Sequence, residues 1–154
     1  MKLLCDQMLG SLMTWLRILG YDTLYAQQNT SDDALLTLAK TEERTLITRD
    51  KELLHRAKKQ RIPCIELHST NLNDQLRTVF MQLPFDNTQL LTRCTLCNKR
   101  LEPIEKHNVK NLVPKRIYDQ HTTFWYCTTC TKVYWMGTHY DNMMKKYQEL
   151  TKTN

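Results

Sequence analysis

Two cysteine pairs constrain this chain more than any other feature. Cys94-x-x-Cys97 and Cys127-x-x-Cys130 each place two thiols at the spacing of a tight knuckle. Two knuckles complete the tetrahedral four-thiolate sphere that Zn²⁺ prefers; a redox pair or chance are the alternatives. A closed sphere leaves no open position, so zinc held there is structural, not catalytic. The 29 residues between the knuckles predict a ribbon with a long inserted loop. The opening residues MKLLCDQMLGSLMTWLRILG carry a helical pattern with no small-residue cleavage site. No secretion signal is therefore expected, and disulfides are disfavoured. No apolar run approaches the roughly 18 residues of a membrane helix. The expected location is cytoplasmic, with no membrane partner.

Charge and aromatic content divide the chain near Pro84. Residues 1–83 hold 11 Lys/Arg and 10 Asp/Glu, and residues 84–154 hold 11 and 6. Four aromatics fall in the first part and nine in the second. Basic charge mixed with aromatics suits a phosphate-rich, base-stacking partner. It equally describes a soluble surface over a small aromatic core, and a four-thiolate zinc of net charge about −2 would offset part of the excess. The only glycines are Gly10, Gly20 and Gly137, which excludes a GxGxxG dinucleotide loop and a Walker phosphate loop.

The first half alternates strand and helix. Lys2–Cys5 reads as a buried strand, and residues 8–19 carry a wide helical apolar face stopped by Gly20. Asp22–Ala26 reads as a second strand. Thr30 or Ser31 caps a helix to about Lys40, with Asp32 and Asp33 in its first turn. Thr45–Thr48 is a third strand, and Asp50 caps the helix of Leu53, Leu54 and Ala57. Pro63–Leu67 is a fourth strand, and Asn71 or Asn73 opens a helix with Leu72, Leu76, Val79, Phe80 and Leu83. This order predicts an α/β domain with a parallel sheet between helical layers, whose site lies beyond the carboxyl ends of the strands.

Asp6, Asp32, Asp33 and Asp50 all fall on that rim. Helix capping or dipole complementation is the alternative reading of each, most readily for Asp50 and least for Asp6, which sits between a buried strand and an apolar helix. Converging there, they would repel one another unless cations neutralised them. Their hard oxygens suit Mg²⁺ or Mn²⁺, ions able to assist a phosphodiester displacement.

The segments Asp6–Gly10 and Trp15–Thr23, with Leu12 between them, resemble the opening of the Mut-seven C-terminal ribonuclease domains. These are PIN-like nucleases often followed by a zinc ribbon. Asp32–Leu36 and Leu46–Asp50 match the next two segments. Arg93-Cys94-x-x-Cys97-Asn98, Leu101-Glu102-Pro103, Phe124-Trp125-x-Cys127-x-x-Cys130 and Val133–Trp135 with Gly137–Tyr140 match the rest, to about residue 144. The resemblance implies a PIN-like three-layer domain over 1–83, a linker over 84–92, a zinc ribbon over 93–138 and a terminal helix over 139–150. It implies a metal-dependent ribonuclease whose Mg²⁺ or Mn²⁺ is held by Asp6, one or both of Asp32 and Asp33, and Asp50. Many PIN nucleases use four acids, and Asp33, Asp22 and Glu52 are candidates for the fourth. PIN-like domains often pair, so a homodimer is left open.

Arg17, Arg49 and His139 are candidate RNA contacts, each with a packing or surface alternative. Lys58-Lys59-Gln60-Arg61 reads as dipole complementation at a helix end. Trp125, Tyr126, Tyr134 and Trp135 either cover the zinc or stack on bases. Met143, Met144 and Tyr147 fit a helix docking on the first domain, and residues 151–154 are expected to fray. Rival functions are a non-catalytic RNA- or ribonucleoprotein-binding module and a PIN-type toxin.

Overall fold

A computed structural model describes residues 1–152. Its first sheet contains β1 (Lys2–Cys5), β2 (Asp22–Tyr25), β3 (Thr45–Thr48) and β4 (Cys64–Glu66), all parallel, in the order β2-β1-β3-β4. Between and after them run α1 (Gly10–Ile18), α2 (Asp32–Thr41), α3 (Lys51–Lys59) and α4 (Leu72–Phe80). The chain leaves β1 toward one edge and returns past it to build the other. Right-handed crossovers then require α1 on one face and α2 and α3 on the opposite face.

The core follows that division. Leu3, Cys5, Ile47 and Ile65 point toward Leu12 and Leu16 of α1 and Leu76 and Val79 of α4. Leu4 and Leu46 point the other way, onto Leu35, Leu36 and Ala39 of α2 and Leu53 and Ala57 of α3. Alternate residues of one strand thus serve opposite layers, which is why these strands read as continuous apolar runs. Each fully buried leucine contributes about 1.5–3 kcal/mol. Burial also pushes the Cys5 thiol up to about 12, keeping it a neutral apolar side chain.

Local chemistry sets the element ends. Ser31, Asp50 and Asn71 cap α2, α3 and α4 by accepting backbone N–H bonds. The first helix begins two residues later than its periodicity suggests, because Met8 adopts a left-handed φ of 72°. At its other end Gly20 has φ 89°. A Cβ there would lie 2.0 Å from the Gln89 carbonyl oxygen, so glycine is required both by conformation and by the close approach of residues 84–92. That segment also bonds Leu91 N–H to Ile18 O at 2.9 Å, and its 3-10 turn spans Asn87–Gln89.

The second sheet is antiparallel: β5 (Glu102–Ile104), β6 (Phe124–Cys127) and β7 (Lys132–Tyr134). The expected long loop is itself folded. A 3-10 turn (Lys106–Val109) and α5 (Lys115–Gln120) bring Val109, Val113 and Ile117 onto Phe124 and Val133, giving the ribbon an apolar cluster beside its cysteines. The final helix, α6 (Thr138–Thr151), returns to the first sheet's layer. Leu150 joins the α1/α4 core, and Tyr147 packs on Phe80 and Phe85 with ring centroids 4.7 and 4.2 Å apart. Of the segment expected to fray, Thr151 ends α6, and residues 153–154 lie outside the described residues.

Candidate active site and metal centre

The four cysteines are the clearest site. Their Sγ atoms all lie within 4.8 Å of one another, and among the described residues no other group of three or more His, Cys, Asp or Glu forms a comparable cluster. Each knuckle closes with the residue after its second cysteine in left-handed backbone, Asn98 at φ 68° and Thr131 at φ 52°. Cys97 and Cys127 sulfurs are 3.5 Å apart, far beyond a disulfide bond. The electrostatics fit a cation. Burial opposes ionisation of Cys94, but bonds from the Tyr134 hydroxyl and the Cys97 and Leu96 N–H groups outweigh it, bringing Cys94 down to about 6. The hydrogen bond with Cys97, then burial, pushes Cys130 up to about 12. Four such thiols cannot all ionise together without a positive ion between them, and a soft sulfur set of this kind is compatible with Zn²⁺. Tyr134 also accepts a bond from Thr95 N–H at 3.1 Å and so braces the knuckle it covers. Trp125 packs on the same cluster.

The carboxylates occupy the rim of the parallel sheet. The switch point of the order β2-β1-β3-β4 falls between β1 and β3, whose carboxyl ends lead into Asp6 and Asp50. Half-buried Asp6 accepts from Gln7 N–H at 2.6 Å and from the Thr48 hydroxyl at 2.8 Å. The same Thr48 oxygen accepts the Asp50 N–H at 2.9 Å. Buried Thr48 therefore ties both strand ends into one small network. Asp50 Oδ1 caps α3, accepting from Glu52 and Leu53 N–H. Capping thus explains one oxygen of Asp50 and none of Asp6.

Asp32 and Asp33 are engaged elsewhere. Arg56 of α3 binds Asp32 at 3.2 Å and also binds Asp33. The four carboxylates share the rim without closing into a ligand cluster. Arg49 is exposed beside Asp50, and Glu52 stands in the first turn of α3.

Two expectations need correction. Asp22 begins β2, at the end of the sheet opposite the rim, so it cannot be a fourth rim acid. It binds Arg44 and Asn98, both at 2.8 Å, and Arg93 at 3.4 Å. Burial raises its pKa, but the bonds from Arg44 and Asn98 and the charges of Arg93 and Arg44 win and hold it below its ordinary value. Arg17 is also no surface contact for RNA. It is buried, donating from Nε to Thr23 O and from Nη1 to Thr95 O and Leu96 O, each at 2.9 Å. His139 is exposed in the first turn of α6.

Thr48, Arg44, Arg56 and Asn98 have site roles that sequence reasoning missed, whereas Tyr134 takes the covering position that was one of its two expected roles. Their roles depend on partners 22 to 76 residues away. Asn98 alone carried a local signal, adjoining the second knuckle cysteine.

These features define a three-layer α/β domain with an acidic strand-end rim and a four-cysteine ribbon packed against it. The chain belongs to the Mut7-C RNAse domain family, whose model matches residues 1–147. No curated protein and no solved structure matches it. None of the described helices is long and apolar enough to cross a membrane.

Proposed function

We propose that this protein is a metal-dependent ribonuclease that hydrolyses RNA phosphodiester bonds at the Asp6–Asp50 rim. The ribbon is then a structural Zn²⁺ site that helps to hold RNA. The observation that carries the reading is the Asp6–Thr48–Asp50 network at the switch point, in a chain of a ribonuclease-domain family. The donor set fits Mg²⁺ or Mn²⁺: hard carboxylate oxygens on adjacent strand ends, one pair already oriented by a buried hydroxyl. Asp6 and Asp50 would hold the ion, with Asp32 and Asp33 beside them on the rim. When bound, such an ion supplies charge stabilisation for the phosphodiester and acidifies water. Thr48 and the Gln7 N–H keep Asp6 oriented, much as outer-shell partners fix metal ligands. Arg56 holds Asp32 and Asp33 and offers its positive charge near the same edge. Arg49, exposed beside Asp50, would meet a phosphate.

The test is cleavage of end-labelled single-stranded and structured RNAs with Mn²⁺, Mg²⁺ or chelator, beside an Asp6→Asn, Asp50→Asn double variant. Asn keeps the α3 cap, so the fold is preserved. Metal-dependent cleavage that disappears in the variant supports the reading, and identical products from both proteins refute it. The pairing of Arg56 with Asp32 and Asp33 favours a second reading, a non-catalytic RNA-binding module. It predicts salt-sensitive RNA binding that survives the double substitution, with no cleavage under any metal.

A further inference from the structure

A cavity of about 490 Å³ opens between α1, β7 and the first turn of α6, away from the carboxylate rim. Its size lies in the roughly 300–1,000 Å³ range of small-ligand sites. Ile18, Leu91 and Met143 pack together as its apolar floor, with Tyr140 against them. The Trp135 ring forms part of the wall. Exposed Lys132 and His139 also line it, and the Lys132 ammonium sits 5.2 Å from the centre of the Tyr134 ring. Among the described residues no Asp or Glu lines the cavity; exposed Asp141, in the same helical turn, is outside it. The 14-residue α6 starts here at Gly137 without a side-chain cap, so its first N–H groups are open to an acceptor.

We propose that this cavity seats one nucleotide of an RNA strand, its base on the apolar floor and its phosphate at Lys132, His139 and the start of α6. The proposal rests on the ribonuclease reading and adds a substrate subsite to it. A base needs flat apolar and aromatic surface, and its phosphate needs positive charge at the edge; an aliphatic peptide side chain would use only the floor. The position fits a strand that reaches the rim. α1 starts beside the Asp6 loop, and at about 1.5 Å per residue Thr14 and Ile18 stand about 6 and 12 Å along it from Gly10. Both residues line the cavity. A strand lying along α1 reaches from one site to the other within a few nucleotides.

The test uses full-length, zinc-loaded protein with Asp6→Asn and Asp50→Asn, which separates binding from cleavage. An eight-nucleotide single-stranded RNA is labelled with fluorescein for anisotropy and with 5-iodouridine for photo-crosslinking. Two variants probe the cavity: Thr14→Leu, which fills it, and Lys132→Ala with His139→Ala, both at exposed positions. We expect each to weaken binding at least fivefold. The double alanine should also lower the salt slope by about 0.7 per lost phosphate contact. Crosslinks should map to Trp135, Tyr140 or Met143. Unchanged affinity in both variants, with crosslinks elsewhere, overturns the proposal. So does binding of unstructured peptide, and not RNA, that Thr14→Leu abolishes. Metal-dependent cleavage by the unmodified protein would survive either result, so failure of the subsite and failure of the nuclease reading are distinguishable.

Discussion

The guanidinium of Arg17 holds the carbonyl of Thr95 at 2.9 Å, across 78 residues of sequence. Thr95 lies inside the first cysteine knuckle, and the same nitrogen also holds Leu96 O. Arg17 Nε holds Thr23 O on the edge strand β2. Asn98 completes the junction: its Oδ1 accepts Thr23 N–H at 3.0 Å and its Nδ2 donates to Asp22. The knuckle therefore satisfies an edge strand that would otherwise present open backbone groups. Arg17→Ala should cost about 3 kcal/mol, because it leaves three carbonyls short of a donor. At about 2–4 °C per kcal/mol, the melting midpoint should fall by about 6–12 °C. Arg17→Lys should recover only part of that, since an ammonium lacks the planar fork. A midpoint shift below about 2 °C for Arg17→Ala would sink this account.

If the four cysteines hold Zn²⁺, as proposed, removing it should reach beyond the ribbon. Metal binding and folding are coupled in four-thiolate sites, so Cys97→Ser or chelation should release the first knuckle. Hydrogen exchange should then speed up at Thr23, whose N–H is held by Asn98, as well as across β6 and β7. Protection at Thr23 that is unchanged in the metal-stripped protein would contradict the coupling.

Asp22 supplies a pH dependence of known sign. Its carboxyl is held below its ordinary value of 3.8, so its stabilisation is present above that value and is lost as pH falls through the folded value. Asp22→Asn should lower stability by about 2 kcal/mol at neutral pH, the worth of a charge-assisted bond in a largely buried setting. Denaturant midpoints of the two proteins should differ by a constant amount above about pH 5 and converge as acid is added. A gap that widens in acid would mean the sign is wrong.

Two glycines should respond oppositely to alanine. At Gly20 the new Cβ meets the Gln89 carbonyl and φ is positive, so a loss of about 2 kcal/mol or more is expected. At Gly10 the nearest atom is the Tyr25 hydroxyl at 3.5 Å, an ordinary contact. Gly10→Ala should be neutral or stabilising by up to about 1 kcal/mol. Thermal unfolding of the pair decides both.

Thr48→Val should separate orientation from charge. The substitution keeps the shape of a buried side chain but removes the donor to Asp6 and the acceptor for Asp50 N–H. We expect a stability cost of about 1–2 kcal/mol. On the ribonuclease reading, Mn²⁺-dependent cleavage should fall about 10–100-fold with the metal requirement retained, as for lost outer-shell partners. Full activity in Thr48→Val would remove Thr48 from the site.

The sequence by itself determined the local structure. Apolar period and caps set four strand–helix units, and Ser31, Asp50 and Asn71 took the cap positions their chemistry favours. The CxxC spacing set the knuckles, and alternation set the parallel sheet that puts Asp6 and Asp50 at one edge. Only the tertiary structure decided which polar groups meet. Arg17, beside Trp15 and Leu16 in sequence, could equally hold a phosphate, pair with an acid or face solvent until the ribbon closes over it. Asp22 looks like a spare acid until Arg44 and Asn98 arrive from other elements. Asp32 and Asp33 open α2, where Arg56 of the next helix takes them. Helix and strand periods depend on neighbours a few residues apart, and so are written locally. A charge finds its partner only through the geometry of the whole fold, because burial makes an unpaired charge too costly to leave and any suitable group that packing brings near will serve.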